Sequence, residues 1–135
     1  MFSKSFLAGS ALIAVTVLAA QPALAETPND ILASLKQEAG AQVFSAARGE
    51  QFFKDKHGSD WSCSTCHTGN PAAEGKHAKT GKLIEPLAPA ANAERFTDPK
   101  KVDKWFKRNC GDVVGRSCTP QEKGDVLAYL LTIRK

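Results

Sequence analysis

The chain has 135 residues, room for one domain and too little for two. Its composition, 42% hydrophobic and 24% charged, is ordinary for a globular chain and argues against a disordered or collagen-like polymer. A net charge of +4 is too mild to mark a nucleic-acid binder, and the single methionine is Met1.

From the N-terminus, Lys4 precedes a charge-free apolar run, Phe6 to Ala20, and Ala23-Leu24-Ala25 forms a small-x-small cleavage pattern before Glu26. That is the pattern of a secretory signal peptide over residues 1–25. A membrane anchor would need about 20 apolar residues, and this run is shorter and ends in small ones. Cleavage would leave residues 26–135 as one mature domain with net charge +3, since only Lys4 is lost. It would also place that domain in an oxidising exported compartment, the periplasm in a bacterium. No later segment is apolar enough to span a membrane.

Helices follow, and no convincing strand. Thr27-Pro28-Asn29-Asp30 reads as a helix start, with Ile31, Leu32 and Leu35 as an apolar stripe that fades at Gly40. A second helix is expected from Ser45 to about Lys56, with Ala46, Gly49, Phe52 and Phe53 on one face. Residues 58–93 show no period and are rich in glycine, proline and small side chains. So long an irregular stretch needs an organiser other than its own backbone. Another helix opens at Thr97-Asp98-Pro99 and carries Val102, Trp105 and Phe106 at helical spacing. Gly111 to Ser117 reads as a loop. The last helix opens on a capping box, Thr119-Pro120-Gln121-Glu122, and turns Val126, Leu127, Tyr129, Leu130 and Ile133 inward.

Cys63-Ser64-Thr65-Cys66-His67 is C-x-x-C-H, the attachment motif of a c-type haem. Its spacing lets both sulfurs reach one porphyrin edge and sets His67 to ligate the iron from the same side. A thioredoxin-like reading would need a βαβ context, and a zinc site would need a second ligand pair; neither is visible. A covalently bound haem c would also supply the core that residues 68–96 lack. Gly49, Phe53 and Tyr129 fit a close crossing of flanking helices, with aromatic rings around it. This arrangement resembles class I cytochromes c.

The opposite face of the iron needs another donor, and the mature chain has no methionine to offer. His57 lies too near the attachment motif, on the approach to it. His77, in Gly75-Lys76-His77-Ala78-Lys79, could give a bis-histidine haem. Asn109 stands in the right topological place, near the end of the helix before the last. As a bare sequence feature it could equally satisfy backbone carbonyls at a helix end. Arg95, Lys82 and Trp61 are candidates for the haem propionates. Cys110 and Cys118 remain after the haem takes its two cysteines, and an even pair in an exported chain points to a disulfide. That bond could be a plain staple, a restraint on its neighbour Asn109, or a redox-active pair.

At this point residues 80–131 closely resemble the SHP-type cytochromes c (sphaeroides haem proteins). The matching pieces are Thr80-Gly81-Lys82, Pro86-Leu87-Ala88-Pro89, Arg95-Phe96-Thr97-Asp98, Trp105-Phe106 and Arg108-Asn109-Cys110. Arg116, Cys118-Thr119 and Glu122-Lys123-Gly124-Asp125 continue them. The resemblance implies an all-α, class I cytochrome c fold around one haem c, with Asn109 as a sixth ligand released on reduction. It implies that oxygen or nitric oxide then binds, and that Cys110 and Cys118 form the disulfide beside the ligand. It also implies a dihaem cytochrome c and a membrane b-type cytochrome as partners.

The residues are consistent with that picture. An amide is a weak neutral ligand that pairs better with ferric than with ferrous iron, so reduction should open the site to a diatomic gas. No catalytic acid or base can be named. The chain is thus expected to accept electrons from a partner cytochrome and bind a diatomic ligand. A plain six-coordinate electron carrier and a haem-based gas sensor are the alternatives. Lys100, Lys101, Lys104, Lys107 and Arg108 against Asp98 and Asp103 give the Asn109 helix a local balance of +3. Such a basic face would steer acidic redox partners, if it is more than a solvated surface.

Overall fold

The four longer helices begin where a side chain can close their free amides. A computed structural model describes residues 25–134; the expected signal peptide, apart from Ala25, lies outside them. The elements are α1 (Pro28–Glu38), α2 (Ala46–Lys54), α3 (Cys63–His67), β1 (Gly75–Lys76), β2 (Leu83–Ile84), α4 (Pro99–Val114) and α5 (Pro120–Thr132). Thr27 and Asp30 exchange side-chain and backbone bonds at the start of α1, as Thr119 and Glu122 do at α5. Ser45 accepts from the Arg48 amide at α2, and Asp98 from the Lys100 and Lys101 amides at α4. Proline is the first residue of α1, α4 and α5, where its missing N–H costs nothing.

Two apolar clusters meet on α5. Ile31 and Leu35 of α1 close over Leu127, while Phe53 of α2 packs with Val126, Tyr129 and Leu130. The α2–α5 crossing is backbone on backbone. A Cβ on Gly49 would overlap the Asp125 carbonyl, and one on Gly124 would enter the Phe44 ring. The Asp125 carboxylate, 4% exposed as a residue, locks the crossing. It accepts from the Ser45 amide at 2.6 Å, Arg48 Nε at 2.8 Å and Nη2 at 2.9 Å, and Gln121 Nε2 at 3.0 Å. A buried carboxylate is tolerable only when so many donors surround it.

Two expectations need correction. Residues 58–93 are not wholly without strands: β1 and β2 pair antiparallel, Gly75 with Ile84 and Lys76 with Leu83. Two residues a side are too few to leave an alternating pattern in the sequence. Gly111 does not open a loop; α4 runs through it to Val114 and stops at Gly115, whose φ of +76° is the left-handed cap. Burial of Cys110 and Val113 on either side outweighs the roughly 1 kcal/mol helix penalty of one glycine. Of the residues expected at helical spacing on α4, Trp105 is 46% exposed.

After α4 the chain is held by Arg116, whose guanidinium donates two bonds, at 2.7 and 2.8 Å, to the Glu122 carboxylate. Arg116, then desolvation opposing it, then the Thr119 amide set the Glu122 carboxyl, and the balance pulls it down to about 2 from an ordinary 4.5. A depressed carboxylate stabilises the fold above its unfolded pKa and loses that contribution as pH falls through the folded one. In urea titrations, Glu122→Gln should therefore cost most above pH 4.5, and its deficit should shrink as pH falls from there toward 2.

The glycines give a sharper test. Gly49→Ala should destabilise the protein by about 1–3 kcal/mol or more, because the obstructing atoms are backbone. Gly111→Ala, in a helix interior with nothing within 4 Å of the new methyl, should stabilise it by about 0.4–1 kcal/mol. Denaturant midpoints of the two variants should move in opposite directions.

Candidate haem site

Residues 63–67 coil into the short helix α3, so Cys63 and Cys66 stand one turn apart and His67 follows at once. Neither cysteine is disulfide-bonded. Cys63 rests on the Phe53–Val126–Tyr129–Leu130 cluster, and burial pushes its thiol up to about 11. Cys66 Sγ accepts from the Ala78 amide at 3.4 Å. Gly75 lies flat on the segment from the other side, where any Cβ would overlap the Cys66 carbonyl and crowd His67 Cα. Immediately after His67 the chain breaks away through Thr68, a β-branched residue held at φ +62°. The Thr68 hydroxyl donates to the Asn70 carbonyl at 2.7 Å and fixes that exit.

His67 points among aromatics. Its ring centroid is 6.4 Å from that of Phe53, which is 5.7 Å from that of Tyr129. Desolvation, with a smaller push from the Arg95 guanidinium, lowers the imidazole pKa to about 4. The ring is thus neutral at physiological pH, as a metal ligand must be. Arg95 is itself anchored, donating from Nε to the Pro86 carbonyl at 2.9 Å and from Nη2 to that of Glu85 at 2.8 Å. Among the described residues no three of His, Cys, Asp and Glu gather to hold a bare metal ion. One neutral imidazole beside two free thiols suits a haem, whose porphyrin brings four donors of its own, and does not suit zinc.

Asn109 lies within α4, not at its end, and is half-buried on the stripe that also carries Val102, Phe106 and Val113. Its role as a satisfier of terminal carbonyls falls away, since Gly115 caps the helix six residues later. The next residue, Cys110, is bonded to Cys118 with the Cα atoms 5.7 Å apart, and both are buried. No residue pattern points to Ser59. Its hydroxyl lies 3.0 Å from both the Trp61 and the Val113 carbonyls, bridging the approach to Cys63 and the last turn of α4.

The histidines take other positions. His57 Nε2 lies 2.8 Å from the Phe52 carbonyl and its ring packs on Phe52 at 4.2 Å. His77 sits in the β1–β2 turn, where Nδ1 accepts from the Lys79 and Thr80 amides at 3.3 Å each. That hairpin leans on the attachment segment itself, through Gly75 and Ala78. Trp61 is half-buried beneath Lys79 Nζ, 4.9 Å from its ring, while Lys82 is exposed.

Between residues 68 and 96 the chain buries little of its own: Pro71, Gly75 and Ala88. The Leu87 and Ala88 amides both donate to the Pro71 carbonyl at 2.9 Å, and Leu87 and Phe96 are the residues of this stretch that reach the α2–α5 cluster. Replacing Cys63 and Cys66 by Ala together should abolish covalent haem and leave this stretch without its core. Amide exchange over residues 68–96 should then be nearly unprotected. A fully protected, cooperatively unfolding apo-chain would refute the organising role.

The chain matches a domain of unknown function, DUF1924, over residues 39–130. It is similar to cytochrome c-type protein SHP of Cereibacter sphaeroides, 44% identical over 88% of this chain and 95% of that one. The structure of oxidised SHP, an oxygen-binding cytochrome c, superposes with a TM-score of 0.74 at 42% identity, over 80% of this chain and 98% of the other. Cytochrome c'' of Methylophilus methylotrophus is 49% identical over 62% of this chain and 58% of its own length. Its solution structure, which addresses haem-ligand detachment, matches with a TM-score of 0.70 at 38% identity, over 80% of this chain and 94% of that one. With its attachment motif set on this helical frame, the chain belongs to the DUF1924 family and is a cytochrome c-type protein carrying covalently bound haem c.

Proposed function

We propose that this protein, exported to the periplasm, accepts an electron from a partner cytochrome and then binds a diatomic gas, oxygen or nitric oxide, at the side vacated by Asn109. Gas binding by cytochromes of this kind is supported by the oxygen-binding SHP, and ligand detachment by cytochrome c''. The haem would supply a one-electron centre able to take up a small ligand. The chain's residues do the rest. Cys63 and Cys66 tether the group, and His67, kept neutral by burial, holds it on the proximal side. Asn109 offers a weak neutral amide, which competes for ferric iron and yields after reduction.

The observation that carries this reading is where Asn109 lies. It is half-buried on the inner stripe of a helix tied to the attachment loop through Ser59 and Val113, in a chain whose one methionine is Met1. His77 is the weaker candidate, because its hairpin packs against Cys66 and His67, on the tether's own side. The dihaem cytochrome c and membrane b-type cytochrome implied by the sequence resemblance are the proposed electron donors.

Asn109→Ala should leave haem attachment and fold intact while shifting the ferric optical spectrum to high spin. Carbon monoxide affinity of the reduced protein should hardly change, since the amide is no longer bound there. The reduction potential should rise by about 60 mV for each tenfold of ferric-selective ligand binding that is lost. His77→Ala should leave the ferric spectrum alone. The reverse pattern, with His77→Ala giving high spin and Asn109→Ala silent, would establish the plain six-coordinate carrier instead.

A further inference from the structure

We infer that the outer face of α4, built around Trp105, is the docking surface for the carboxylate-rich face of a partner redox protein. The inference rests on the electron-accepting role proposed above and names where that partner sits. Trp105 is 46% exposed, although a tryptophan side chain gains much by burial. Two cations cradle it. Lys104 Nζ is 5.8 Å and Arg108 Cζ 5.6 Å from the ring centroid, within cation–π range. An exposed tryptophan beside an arginine matches the enrichment of these two residues at interface centres.

The charge around it is one-sided. Lys100, Lys101, Lys104, Lys107 and Arg108 are all exposed, and helical spacing gathers them on the outer half of α4. The nearby acids are otherwise engaged. Asp98 caps α4 and lies 3.7 Å from Lys101, while Asp103 turns to Lys123 at 3.2 Å and Asp112 stands 4.0 Å from Arg108. Among the described residues Lys100, Lys104 and Lys107 have no carboxylate within 4.0 Å. A second copy of the chain docking through the same patch would set like charges against like, so the surface calls for a carboxylate-bearing partner. Trp105 stands one turn before Asn109, at the border between the cationic face and the inner stripe. A partner seated there abuts the element that carries the candidate distal residue.

The experiment follows reduction of the ferric holoprotein by flavodoxin hydroquinone, an acidic one-electron donor protein, in stopped flow at several ionic strengths. Dithionite serves as the small reductant that needs no docking. Trp105→Ala should slow the flavodoxin reaction about tenfold at low salt, leaving the dithionite rate and the ferric spectrum unchanged. The double variant Lys104→Glu, Arg108→Glu should slow it further and flatten its salt dependence. Unchanged flavodoxin rates in both variants would return this face to the role of a solvated surface. Equal slowing with both reductants, or an altered ferric spectrum in Trp105→Ala, would place Trp105 against the haem and overturn the docking role. Carbon monoxide uptake by the reduced variants reports on the preceding reading alone, so a failure there is told apart from a failure here.

Discussion

The crossing of α2 over α5 is the constraint on which the rest depends. Two backbones approach as closely as they do because Gly49 has no Cβ to meet the Asp125 carbonyl. The same contact puts Phe53 beside His67, packs Tyr129 on Phe53 and lays Cys63 on their cluster. Asp125 then converts proximity into a fixed angle, since its carboxylate binds the start of α2 through the Ser45 amide and Arg48. A small chain with a shallow core thus holds one precise junction, and the prosthetic group is built onto it.

What the tether asks of the chain explains the irregular middle. A helix as short as α3 cannot hold itself, so its neighbours clamp it. Gly75 presses on it from one side, Thr68 turns the chain sharply out, and the Ala78 amide reaches Cys66 Sγ. On this side the clamps are backbone contacts and hydrogen bonds, while Cys63 at the start of the segment rests on the apolar cluster of α2 and α5. The same economy shows in Arg95, which fastens the chain at residues 85–86 while lowering the proton affinity of His67.

Much of this was legible in the residues. Caps at Thr27, Asp98 and Thr119, with proline following each, mark helix starts by chemistry that needs no tertiary partner. The attachment motif is equally local, and a glycine four residues before an aromatic announced the crossing. The misreadings came where distant contacts decide. Gly111 reads as a terminator until Cys110 and Val113 are seen to be buried around it. Periodicity groups Trp105 with Val102 and Phe106 and cannot show that it stands at the exposed edge of their stripe. Ser59, Gly75 and Thr68 carry no signature, since each matters only through an atom far along the chain or through its backbone conformation.

The anchoring of α4 also limits how anything on it can move. Its first turn is closed by Asp98, its middle is tied to α5 through Asp103 and Lys123, and Cys110 is cross-linked to Cys118. Val113 is bridged to the attachment loop by Ser59. These ties hold α4 to the rest of the chain near its start and along its last two turns. A group presented at position 109, between them, can approach or withdraw by turning about its own side-chain bonds. Such a motion carries almost no other atoms along, so the backbone of α4 need not be rebuilt for it.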